Sequence, residues 1–158
     1  MRLRYDDTER RRSRSLFLPL LAGVVLTVGA AVAMTTTDQA VFCGSCHSMA
    51  EAALTHRQSI HAALACNDCH APHNLLAKIP FKAREGTRDI VATVTGSIPD
   101  LIHSGKETRR VTQANCRRCH SATVATVAMQ SKEYCTDCHR HVPHSPKLPI
   151  AMRSAADA

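Results

Sequence analysis

Four short runs of this chain combine two thiols and an imidazole at one fixed spacing: Cys43-Gly44-Ser45-Cys46-His47, Cys66-Asn67-Asp68-Cys69-His70, Cys116-Arg117-Arg118-Cys119-His120 and Cys135-Thr136-Asp137-Cys138-His139. Together they consume all 8 cysteines, so none remains for a disulfide. Two thiols three positions apart can form thioethers with the two vinyl groups of one haem, and the histidine that follows then lies beneath the porphyrin iron. Paired cysteines also build tetrahedral zinc sites, but zinc knuckles do not need a histidine directly after each pair. With 10 histidines in 158 residues, four such coincidences have a chance on the order of 10^-5. The motifs therefore predict four covalently bound haem c groups.

Composition agrees with a core built around pigment. Aromatic residues make up 3% of the chain and tryptophan is absent, although large rings usually dominate buried contact area. The expected fold class is mainly α: a single N-terminal transmembrane helix plus a small, loop-rich multihaem domain, its short helices packed around four haems. The haem-free polypeptide is expected to be largely unfolded, as small metal domains are without metal.

The helix that would hold this body at a membrane is legible as well. Residues 16–34 carry no charge, and as a helix they span roughly 28 Å, close to the ~30 Å hydrocarbon core of a bilayer. Six arginines precede the segment (Arg2, Arg4, Arg10, Arg11, Arg12 and Arg14), whereas Thr35, Thr36, Thr37 and Asp38 follow it. That asymmetry predicts a cytoplasmic N-terminus over 1–15, an anchor over 16–34 and a periplasmic haem domain over 35–158, in the inner membrane. Ala31-Val32-Ala33 resembles a signal-peptidase site, but the apolar run exceeds a signal core, so the segment is read as uncleaved. Of the net charge of +7, topology accounts for the N-terminal share, and no pattern suggests nucleic-acid binding.

Beyond the anchor, eight residues lead to Cys43, which puts the first haem near the membrane surface, where lipid-soluble quinols reside. Residues 48–59 are Ala-rich and read as a helix. Asn74 can cap a helix starting at Leu75, which Pro80 should kink or restart and Gly96 should close. A further helix is expected over 121–132, and the tail beyond His144 reads as irregular. On the 75–95 stripe, Lys82 and Asp89 share one edge. One reading has Lys78, Lys82, Arg84 and Arg88 reaching lipid phosphates, with Asp89 solvated. The other has Lys82 and Asp89 flanking a quinol head-group, the ammonium holding the ring oxygen and the carboxylate taking the O–H proton.

For the irons, His70, His120 and His139 complete their own motifs as proximal ligands. In the first motif spacing favours His47, while Met49 is either packing or a thioether ligand that would raise the potential. Among the remaining histidines, His61 and His144 are chosen as distal ligands to haems other than their nearest in sequence. His56, His73, His103 and His141 are read as surface residues, which leaves at least one haem without an internal partner.

These features resemble the NapC/NirT membrane quinol dehydrogenases: one anchor, four haem motifs and a histidine near the fourth. The Cys-x-x-Cys-His-x-Met first motif and the run Cys66-Asn-Asp-Cys-His-Ala-Pro-His-Asn-Leu-Leu-Ala-Lys-Ile-Pro-Phe-Lys82 are similar to the branch that serves cytochrome c nitrite reductases. That resemblance implies Met49 rather than His47 on the first iron, Lys82 and Asp89 at the quinol site, and His61 and His144 as distal ligands. It further implies menaquinol as substrate and a pentahaem nitrite reductase catalytic subunit of the NrfA type as electron acceptor. Other members serve nitrate, nitrite or trimethylamine N-oxide reductases. A self-sufficient multihaem reductase is disfavoured, because no Cys-x-x-Cys-Lys motif or extra domain is present to build an open distal pocket.

Overall fold

The computed structural model describes the backbone of residues 2–128 and 132–144, with side chains from Ser15 onward. The chain divides into two compact units, Met1–Thr37 and Asp38–Ala158. Among the described residues all regular structure is helical.

The first unit is one helix, α1 (Arg2–Thr36), which runs two residues past the expected end of the anchor. Its stretch Ser15–Thr36 is long and apolar enough to cross a membrane, and none of it is covered by protein. Hydrocarbon offers no partners for polar groups, so each must be satisfied within the helix. Thr27 accordingly donates its hydroxyl to the Gly23 carbonyl at 2.8 Å, and Thr36 to that of Val32 at 2.9 Å. The threonines after Met34 thus extend the helix instead of ending it.

The second unit contains α2 (Ala40–Cys43), α3 (His47–Arg57), α4 (Cys66–His70), α5 (Leu75–Thr95), α6 (Lys106–His120) and a 3-10 turn at Cys135–Asp137. Helix α3 occupies the expected Ala-rich stretch. In α5 the expected cap is present, with the Asn74 side chain accepting from the Leu76 N–H at 2.9 Å. Gly96 closes it in the left-handed conformation, φ 65°. The expected restart at Pro80 does not occur, and the helix runs through it. Proline lacks only its own N–H, so the helix forfeits the one bond to the Leu76 carbonyl and continues.

The expected helix over 121–132 is not formed within the described residues. Hydrogen-bonded turns occupy 121–126, and 129–131 lie outside the description, as does the tail after His144. The helix instead lies earlier, as α6, with the third haem motif forming its last turn. Glu107 in its first turn and Arg117, Arg118 and His120 in its last complement the helix dipole.

What is missing is a side-chain core. The buried apolar residues are Ala53, Ala71 and Tyr134, and no large described side chain is fully buried. Contacts between elements run through the motifs themselves, with α4 against α6, α2 against α3, and α6 against the 3-10 turn.

Candidate haem and quinol sites

Three of the four Cys-x-x-Cys loops are pinned by their third residue. Asp68 accepts the Ala65 N–H at 2.9 Å, and Asp137 accepts the Tyr134 N–H at 3.0 Å. In the first motif Ser45 donates its hydroxyl to the Phe42 carbonyl at 2.6 Å. In all three the partner is the residue just before the first cysteine, so one side chain closes the turn that holds two sulfurs on one side. The third motif has no such bond because α6 supplies its geometry.

Helix α6 also organises its neighbours. Asn115, 8% exposed, donates from Nδ2 to the carbonyls of Cys69 and Ala71, both at 2.9 Å, tying the second motif to the third. Gln113 accepts the Cys135 N–H at 2.8 Å, and Arg109 reaches Asp137 at 2.5 Å while lying over the Tyr134 ring, tying in the fourth. The sulfurs follow the same order. Hydrogen bonding from Cys66 lowers the Cys43 thiol to about 7, against the effect of burial. Burial raises the Cys69 thiol, with Asp68 and then the Cys119 sulfur adding to it. Burial likewise raises Cys116, helped by Cys135. Hydrogen bonds thus join the second motif to the third, and the helix carrying the third to the fourth.

The histidines pair across motifs. The rings of His70 and His144 have centroids 6.0 Å apart with planes 24° apart, and those of His61 and His120 lie 6.1 Å apart at 71°. Two imidazoles on opposite sides of one metal, at roughly 2.0–2.1 Å per bond plus about 1.1 Å from nitrogen to ring centre, sit about 6 Å apart. His144 donates from Nδ1 to the Ala52 carbonyl, 2.9 Å away. A carbonyl can only accept, so Nδ1 carries the proton and Nε2 keeps its lone pair for a metal. Burial, with His144 and His56 nearby, lowers His70 to about 4, which also keeps an imidazole lone pair available. The Nδ1 atoms of His56 and His61 are buried without a protein partner, as befits chain that closes around a polar group.

His56 corrects the surface assignment: it is 4% exposed, with its ring 6.2 Å from that of His144. It buries because it lies on the same side of α3 as Ala53, one turn earlier. His73, His103 and His141 are exposed as expected, and so is His139. His47 and Met49 both lie on the first turn of α3, exposed and two residues apart, so about 200° separates them. They cannot both face one porphyrin.

The lysines of α5 correct a second expectation. Lys78 and Lys82 do not reach outward. Their ammoniums meet Oδ2 and Oδ1 of Asp38, each at 2.6 Å, with the lysine side chains 18% and 16% exposed. Asn67, inside the second motif, donates to the same Oδ1 at 2.6 Å. Arg84 bridges Glu85 and Glu107. The outward side of α5 is instead apolar, with Leu76, Ile79, Ile90 and Val94 all exposed. Asp89 keeps solvent contact, yet local desolvation and then Glu85 raise its carboxyl above the usual value, against Arg88. Lys82, Asp38 and Asp89 all act on the Cys43 sulfur, so these three charges gather at the first haem motif. Asp38, Asn67 and Asn115 were not foreseen; their chemistry depends on partners 29 to 46 residues away.

The sequence profile of the NapC/NirT cytochrome c family, N-terminal region, matches residues 9–149. The chain belongs to that family. It therefore carries covalently bound haem, and its apolar helix marks it as a membrane-anchored cytochrome. Cytochrome c nitrite reductase subunit NrfH from Nitratidesulfovibrio vulgaris is 52% identical over 136 residues, covering 85% of this chain and 86% of its own. Cytochrome c-type protein NapC from Haemophilus influenzae is 26% identical, over 82% of this chain and 78% of its own. Among solved structures, a chain of the cytochrome c nitrite reductase NrfHA complex bound to the HQNO inhibitor superposes with a TM-score of 0.79. It is 49% identical and covers 90% of this chain and 99% of its own.

Proposed function

We propose that this family member oxidises menaquinol at the periplasmic face of the inner membrane and passes the electrons to a pentahaem nitrite reductase catalytic subunit of the NrfA type. Four haems are attached at Cys43/Cys46, Cys66/Cys69, Cys116/Cys119 and Cys135/Cys138. Bound haem supplies the one-electron iron couple that separates the electron pair of a quinol into single transfers. His70 with His144 and His120 with His61 form two ligand pairs. Met49 would hold the first iron and His139 the fourth.

The remaining chemistry belongs to side chains near the first motif. Quinol oxidation releases two protons with two electrons. Asp89, with its raised carboxyl, is suited to accept an O–H proton near neutral pH. Lys82 donates to the ring oxygen and stabilises the negative charge that develops there. The partner reading rests on likeness: the 52% identical relative is named as a nitrite reductase subunit, and the structural match comes from a complex.

The observation that most supports the redox reading is the two histidine pairs at 6.0 and 6.1 Å, the separation expected of two imidazoles sharing one iron. Reconstitution tests the whole. In liposomes with menaquinol and a purified pentahaem nitrite reductase, the anchored holoprotein should support nitrite-dependent quinol oxidation. Turnover that is unchanged when this chain is left out would overturn the proposal.

A further inference from the structure

We propose that Asp38 is a positioning residue for quinol oxidation, its carboxylate setting where the Lys82 ammonium meets the quinol ring oxygen. This rests on the reading of Lys82 and Asp89 as the quinol site. Oδ1 of Asp38 receives Lys82 and Asn67, and Oδ2 receives Lys78, all at 2.6 Å, and Asp38 is only 8% exposed. One carboxylate thus joins three places: the start of the haem unit, the second haem motif through Asn67, and two successive turns of α5.

Rigidity alone is a weak reason for this arrangement, since desolvation cancels much of the attraction in a shielded ion pair. What the cluster provides is a fixed direction and a charge. A lysine on four methylenes has many rotamers, and a short bond to a buried acceptor selects one of them. Two ammoniums against one carboxylate also leave the cluster with a net positive charge. That charge opposes the negative charge left on the ring oxygen as its proton departs.

Asp38 itself takes no proton. Burial pushes its carboxyl up, but hydrogen bonds from Lys78, Lys82 and Asn67 outweigh that and hold it below the usual carboxylate value. Both O–H protons therefore leave by way of Asp89 to water, and both electrons go to iron. Through Asp38 the fixed ammonium is tied to Asn67 of the second haem motif, and its charge is felt at the Cys43 sulfur of the first.

The experiment compares Asp38→Asn, Asp38→Glu, Lys82→Met, Asp89→Asn and the double variant Asp38→Asn/Lys82→Met. All are full-length, membrane-anchored holoproteins, with haem content and dithionite-reduced spectra measured beside the rates with a soluble naphthoquinol. Asp38→Asn should raise KM for the quinol on the order of tenfold at full haem content, with no further loss in the double variant over Lys82→Met alone. Asp38→Glu, which keeps the charge and lengthens the side chain by one methylene, should recover part of the loss. Wild-type quinol kinetics in Asp38→Asn, or fully additive losses, would overturn the positioning role while a slow Lys82→Met left the quinol site standing. Wild-type rates in both Lys82→Met and Asp89→Asn would overturn the site itself. If Asp38→Asn fails to take up haem, Asp38→Glu decides: an altered KM supports the role and an unaltered one ends it.

Discussion

The imidazole planes of His70 and His144 lie 24° apart across 6.0 Å, whereas those of His61 and His120 stand at 71° across nearly the same distance. In each pair one ring comes from a haem motif and the other from a segment remote in sequence. Both distances match the separation expected of two imidazoles on one iron, as the proposed pairs require; the angles differ because each ring is held by its own surroundings. His144 is fixed by the Ala52 carbonyl.

Those two angles have separate spectroscopic consequences. Near-parallel imidazoles act on the same iron d orbital and split the set strongly, while near-perpendicular ones leave two orbitals almost equal in energy. Electron paramagnetic resonance of the oxidised holoprotein should therefore show one rhombic low-spin haem and one low-spin haem with a large maximum g value. His61→Met should remove only the second signal and His144→Met only the first. Loss of the same signal in both variants would contradict the pairing.

Asp89 should impose a pH limb on quinol oxidation. Local desolvation, with Glu85 assisting and Arg88 opposing, raises its carboxyl. The base form is the carboxylate, so activity should be full above that raised pKa and fall as pH drops through it. Asp38 is held below the ordinary value and stays ionised across the same range. Asp89→Asn should therefore slow quinol-driven reduction by about a hundredfold or more, the lower range expected from losing a positioned base, and abolish the limb. Dithionite reduction should be unchanged. Stopped-flow traces from pH 5 to 8 would show this, and a limb that survives the substitution would assign it elsewhere.

Gly44 is a steric requirement of the first motif. A Cβ there would lie 2.8 Å from the Ala53 side chain and 3.0 Å from the Ala40 carbonyl oxygen. Both neighbours are short and fixed, so α2 and α3 would have to separate. Gly44→Ala should destabilise the holoprotein by about 1–3 kcal/mol, the usual cost of overpacking, and disturb the first haem before the others. Denaturant titration followed at the haem absorbance bands measures both, and an unchanged midpoint would refute the argument.

How much of this was legible in the sequence depends on whether the signal was local. The apolar span, the Asn74 cap and the Gly96 stop are local; cap and stop sit where read, and the apolar helix runs two residues further than read. At Pro80 a kink or a restart was open, and the restart does not occur, because one missing N–H does not end a helix whose other bonds remain. Helix α6 was missed because Val111 is its one clearly apolar residue outside the motif, so no stripe betrays it; Glu107 and the basic last turn were the available signs. Asp38, Asn67 and Asn115 were beyond reach, because a short polar side chain gives no hint of a partner 29 or more residues away. His56 was misassigned because the side of α3 it shares with Ala53 is covered by chain remote in sequence, His144 among it.

Asn115 offers a last test of how the haem body coheres. Its one amide nitrogen serves two carbonyls, Cys69 and Ala71, and Ala71 is fully buried. Removing the amide leaves both without that donor, in a region with no side-chain core to compensate. An unmet buried acceptor costs about 1–3 kcal/mol, so Asn115→Ala should lower stability by at least that much, whereas Asn115→Asp, which can only accept when ionised, should be worse. Because the bonds join the second motif to the third, the variant should also slow electron passage between those haems while reduction of the first by quinol keeps its rate. Pre-steady-state absorbance traces separate the two phases. Equal slowing of both would mean that Asn115 supports the fold as a whole and not that junction.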